Sequence, residues 1–108
     1  MELNELLEKL KDTNSLIDPV EVIKLIEAVG GWIDDLDLEI IVLEEQVNIL
    51  WHSYQSEVKR TNAEVNNLVK VSVEYKNFRE RTALLKRLRR HYRLLNTKLN
   101  LITKPKGR

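Results

Sequence analysis

The sequence predicts an all-α protein: a long antiparallel helical hairpin with coiled-coil-like packing, preceded by two short N-terminal helices and assembling into an oligomeric helical bundle. Three observations predict it. From Trp32 to Lys104 there are 73 residues without a glycine or proline, between the Gly30-Gly31 pair and Pro105. Nothing in that stretch is a strong helix breaker. At about 1.5 Å per residue an unbroken helix of this length reaches roughly 110 Å, so the segment is expected to fold back on itself, a continuous rod being the alternative. Within it, two apolar series recur in threes and fours, and the charges are segregated by sign along the chain.

The elements follow in order. Leu3, Leu6, Leu7 and Leu10 have the spacing of an amphipathic helix, which ends at the polar break Asp12-Thr13-Asn14-Ser15. Asp18-Pro19-Val20-Glu21 reads as a helix start. Asp18 can cap it, Pro19 suits the first helical position and Glu21 can reach back to the cap; Ile17 and Val22 are placed for a hydrophobic staple. This second helix is expected to stop near Val29, with Gly30 closing its C-terminus. The short helices thus occupy residues 1–31 of a single helical domain spanning 1–108.

A long acidic-to-neutral arm is expected over 32–71. Ile33, Leu36, Ile40, Leu43, Val47, Leu50 and Tyr54 form its seam. Trp32, Leu38, Ile41, Val42, Ile49 and Trp51 lie off that line, so the apolar surface is too wide for a two-stranded seam and points to three or four packed helices. A basic arm over 77–103 carries its own series, Phe78, Leu85, Leu88, Tyr92, Leu95, Leu99 and Ile102, with a gap at Thr82. Residues 104–108 form a basic tail. Between the arms the pattern thins to Val58, Thr61, Val65 and Leu68, and Asn62, Asn66 and Asn67 are poor helix formers. Val69 to Val73 alternates like a strand. The reversal is therefore placed near Val71 to Lys76, with Asn77 capping the second arm and Glu80 completing the box; Thr61-Asn62-Ala63-Glu64 is the competing break.

The formal net charge of +1 conceals a strong asymmetry. Residues 1–56 carry 13 acidic against 3 basic side chains, whereas residues 57–108 carry 4 against 15. A fold about residue 74 would set position 57 against 91 and 45 against 103. The acidic run Asp34, Asp35, Asp37, Glu39, Glu44 and Glu45 would then face only Lys104, Lys106 and Arg108. The basic run from Arg79 to Arg93 would face Tyr54 to Val69, where Glu57 and Glu64 are the acids. The excess calls for a second subunit or an anionic partner. An antiparallel dimer or tetramer, acidic end along basic end, satisfies both the charge and the wide apolar face.

The function expected is that of a small non-enzymatic assembly or adaptor protein acting through helical surfaces on a protein partner or on itself. The first alternative is a nucleic-acid-binding accessory protein, DNA or RNA, using Lys76, Arg79, Lys86, Arg90 and Arg93 with His91 and Tyr92 interleaved; such a helix would read phosphates more than bases. The second alternative is a metal-dependent all-α nucleotide hydrolase built on Asp34, Asp37 and Glu44. Against it, Asp34, Asp35 and Asp37 also suit a first helical turn, where negative charge meets the helix dipole favourably.

The rest of the chemical inventory is thin. There is no cysteine, which excludes disulfides and thiolate metal sites and fits a reducing compartment, so the cytoplasm is the expected location. No apolar run approaches the roughly 20 residues of a membrane span, and the start Met1-Glu2-Leu3-Asn4-Glu5 is acidic where a signal peptide is basic. No glycine-rich phosphate loop is present and no catalytic residue, cofactor or metal ligand is assigned. His52 reads as an edge-of-core residue, and His91, among arginines, as a surface residue whose protonation is disfavoured. Trp32 and Trp51 read as core or interface anchors.

Overall fold

The computed structural model describes residues 1–57 and 61–103. Every regular element among them is α-helical: α1 (Leu3–Leu10), α2 (Pro19–Glu57), α3 (Asn62–Lys70) and α4 (Val73–Thr103). Val58, the Pro105 stop and the tail cations Lys104, Lys106 and Arg108 lie outside the described residues. No helix among the described residues is long and apolar enough to cross a membrane. The chain divides into two compact units, Met1–Asp35 with Lys86–Arg108, and Leu36–Leu85.

In the first unit, α1 buries Leu6 and Leu10, as their four-residue spacing requires, with Leu3 and Leu7 half-buried beside them. Asp18 starts α2 as expected: its carboxylate accepts the Val20 N–H at 3.0 Å, and Pro19 takes the first helical position. The staple does not form. Val22 is fully buried, but Ile17 is 80% exposed. The core is completed by Leu25 and Val29 of α2 with Leu88 and Leu95 of α4. Two hydrogen bonds fasten the N-terminal segment: the Trp32 indole N–H donates to the Met1 carbonyl at 3.2 Å, and Lys98 Nζ donates to the Asn14 carbonyl at 3.2 Å.

Gly30-Gly31 does not end a helix. Both glycines lie inside α2, which is continuous from Pro19 to Glu57. Two interior glycines cost about 1 kcal/mol each relative to alanine. Burial of Val22, Leu25 and Val29 on the same helix contributes roughly 1.5–3 kcal/mol apiece, so packing wins. Gly30 also meets α4 closely. A Cβ built there would lie 3.5 Å from the Tyr92 ring.

In the second unit, Leu36 of α2, Val65 and Val69 of α3 and Leu85 of α4 are buried. Thr61 caps α3, its hydroxyl accepting the Glu64 N–H at 3.2 Å. This is the competing break that the sequence offered, and it is the one used. A second interruption follows at Val71-Ser72. The Ser72 hydroxyl donates to the Val69 carbonyl and accepts the Tyr75 N–H at 3.2 Å, so one side chain closes α3 and caps α4. The basic helix consequently begins at Val73 rather than at Asn77, which lies exposed within α4. The Thr82 gap is filled by a hydroxyl bonded to the Phe78 carbonyl at 2.8 Å.

The register expected from a fold about residue 74 is overturned. Trp51 Nε1 donates to Asn66 Oδ1 at 3.0 Å, and Arg81 Nε lies 3.1 Å from Glu39 Oε1. As the number rises on α2 it falls on α3 and α4, so the pairing is antiparallel and centred near position 60. The reason is local: α2 ends its described span at Glu57 and Thr61 already caps the next helix, whereas the Val71-Ser72 interruption separates two segments that both pack on α2. The acidic and basic runs therefore do meet within one chain at Glu39 and Arg81.

Gly31 is exposed, with nothing within 4 Å of a Cβ built on it. Gly31→Ala is expected to stabilise the protein by about 0.5–1 kcal/mol, raising the melting temperature by a few degrees in a circular-dichroism melt. A lower melting temperature would mean that α2 needs a glycine there.

Candidate interaction surfaces

The predicted seam falls on the inner sides of the helices. Leu36, Leu85, Leu88 and Leu95 are buried; Ile33, Ile40, Leu43, Val47, Leu50, Tyr54 and Leu99 are half-buried. Tyr92 departs from the pattern, being 38% exposed at the edge of the first unit against Gly30. Leu36 and Leu88 belong to the chain's own cores, and Leu43 is half-buried.

The off-seam residues have a different fate. On α2, Leu38, Ile41, Val42 and Ile49 are 68%, 62%, 54% and 62% exposed. Steps of four and seven residues keep Leu38, Val42 and Ile49 on one line, with Ile41 at its edge, roughly opposite Leu36, Leu43 and Val47. This part of α2 is apolar on two opposite faces. One face is covered within the unit and the other is open, with Glu45 in its middle.

The five basic candidates are all exposed. Lys76 and Arg79 belong to the second unit, and Lys86, Arg90 and Arg93 to the first. Lys76 Nζ lies 4.0 Å from Glu80 Oε1, an exposed pair within one helix. Among the described residues no carboxylate lies within 4 Å of Lys86, Arg90 or Arg93. The Glu39–Arg81 pair is about half exposed on both sides and contributes on the order of 0.2–1 kcal/mol.

Asp34, Asp35 and Asp37 do not occupy a first helical turn, since α2 begins at Pro19. Asp34 and Glu44 are exposed and Asp37 is half-buried. Among the described residues no group of three or more acidic or histidine side chains converges as metal ligands would, so Asp34, Asp37 and Glu44 are not brought together. Nor does any polar or charged side chain among the described residues lie fully buried. His52 is exposed, its ring edge-on to Trp51 at 5.3 Å.

His91 differs from its sequence reading. It is half-buried rather than superficial, and burial is the larger reason that its pKa falls below 6.5, ahead of the charges of Arg87 and Arg90. Asn66 was legible only as a poor helix former. Its amide oxygen instead accepts the Trp51 indole N–H, an exposed bond that ties α2 to α3 within the second unit.

Comparison with protein-family models, with curated proteins and with solved structures finds no match.

Because folded His91 resists protonation while the unfolded chain titrates near 6.5, stability is expected to fall as pH drops through that value. His91→Gln should flatten this part of the profile. Melting temperatures of both proteins between pH 7.5 and pH 5.5 check it; identical slopes would remove His91 from the effect.

Proposed function

We propose that this chain is a non-enzymatic helical interaction protein that assembles with copies of itself through the outer face of α2 in the second unit. The supporting observation is the open stripe of Leu38, Ile41, Val42 and Ile49, opposite a face already used for folding. Four aliphatic side chains more than half exposed offer on the order of 400 Å², the size of the largest apolar patch on a typical monomer, which is often a functional one.

The partner arrangement follows from the charges in the stripe. Parallel pairing of two α2 helices would set Glu45 directly against its own copy. Antiparallel pairing centred between Leu43 and Glu44 sets Leu38 against Ile49 at both ends and moves the two Glu45 carboxylates past one another. The antiparallel dimer, or a tetramer made from two such dimers, is the assembly proposed. Arg81 and Glu39 satisfy part of the whole-chain charge asymmetry internally, and the stripe carries the association. A patch of this size is small for a permanent interface, so association is concentration-dependent.

Light scattering or sedimentation across a concentration series tests the reading. The wild-type mass is expected to rise above the 12.7 kDa of one chain, whereas Leu38→Ser with Ile49→Ser should remain at that mass with helix content unchanged. Both side chains are exposed in the single chain, so the double variant folds; Leu88→Asp, which strikes a fully buried side chain, would report on folding instead. A wild type that stays at the mass of one chain at high concentration removes the self-assembly reading.

A further inference from the structure

Where α3 gives way to α4, the second unit holds an open cleft of about 480 Å³ lined by Lys70, Val71, Val73, Tyr75, Lys76 and Arg79. That volume falls within the about 300–1,000 Å³ of small-molecule sites. Its walls combine two chemistries. Val71 and Val73 are 83% and 68% exposed beside the half-buried Tyr75 ring, an apolar surface at a bend where polar residues would be ordinary. Around it stand three exposed cations, Lys70, Lys76 and Arg79.

The bend does not consume those cations. Its own polar groups are satisfied by Ser72, which bonds the Val69 carbonyl and the Tyr75 N–H, while the Ser72 N–H donates to the Val69 carbonyl at 3.0 Å. Glu80 is the acidic side chain in the lining, and its contact with Lys76 at 4.0 Å is long and exposed, a pair that an incoming anion can replace. The cleft thus carries more positive than negative charge next to an aromatic and aliphatic wall.

A ligand that uses both features needs a flat or apolar body and more than one negative charge. Inorganic phosphate supplies the charge without the body. A nucleotide supplies both: its base lies against an aromatic ring, and its phosphate oxygens accept charge-assisted hydrogen bonds from guanidinium and ammonium groups. We infer that this cleft binds a nucleotide unit, the base against Tyr75, Val71 and Val73 and the phosphates at Lys70, Lys76 and Arg79, presented as a free nucleotide or within a single strand. The inference is independent of self-assembly, since none of these residues belongs to the α2 stripe.

The test is a titration of the isotope-labelled full chain at low salt with ATP, with tripolyphosphate and with a short oligothymidylate, followed by amide NMR. ATP and the strand are expected to shift amides between Lys70 and Ala83. Arg79→Gln and Lys76→Gln should each weaken binding by about three- to tenfold and lower its salt dependence, and Glu80→Gln should strengthen it by a few-fold. All three side chains are exposed, so the variants keep the fold, which a melt verifies. ATP binding that the strand does not exceed assigns the free nucleotide; a strand about tenfold tighter assigns the polymer. Tripolyphosphate binding as tightly as ATP, or no shift between Lys70 and Ala83 at millimolar ligand, overturns the proposal.

Discussion

The register in which α2 meets the later helices governs most of what this chain presents to its surroundings. In the second unit it is fixed by Trp51 against Asn66 and Glu39 against Arg81; in the first, Gly30 lies against Tyr92. Moving the reversal toward residue 74 would carry Glu39 beyond any cation on α4 and strip Trp51 of its acceptor. With the register as it stands, part of the basic run is neutralised inside the chain. What remains outward is sorted by position, apolar along α2 and cationic along α4.

That sorting makes α2 unusual among helices of small proteins. A helix of a simple two-layer packing needs one apolar stripe, and the opposite side is ordinarily polar. Here the stretch from Leu36 to Leu50 has aliphatic side chains on both sides, and the unit can cover one of them. The open face is written into the sequence, because Leu38, Val42 and Ile49 recur in steps of four and seven that keep them on one line of the helix.

Much of the helical architecture was legible in the residues. The apolar spacing of α1, the Asp18-Pro19 start and the inner seam of α2 and α4 are local patterns, and local patterns survive folding. The readings that failed depend on competition between elements. Gly30-Gly31 carries a correct local signal for a helix end, yet burial on both sides of the pair outweighs it. Thr61 and Asn77 offer comparable capping boxes, and local chemistry alone does not rank them; Thr61 caps α3, while the Ser72 hydroxyl takes the place of Asn77 at the start of α4. The cleft beside Tyr75 was invisible in the sequence for a related reason. Its lining joins the end of one helix to the start of another, and the strand-like alternation of Val69 to Val73 concealed that Ser72 performs two capping tasks at once.

The chain has two tryptophans, and each indole N–H is committed in a different unit, Trp32 to the Met1 carbonyl and Trp51 to the Asn66 amide. The protein therefore carries one intrinsic fluorophore per unit, each held by a contact that disappears when that unit opens. Replacing either indole with phenylalanine leaves a single-colour reporter, and the two emission traces would register whether the units lose their structure together or in sequence.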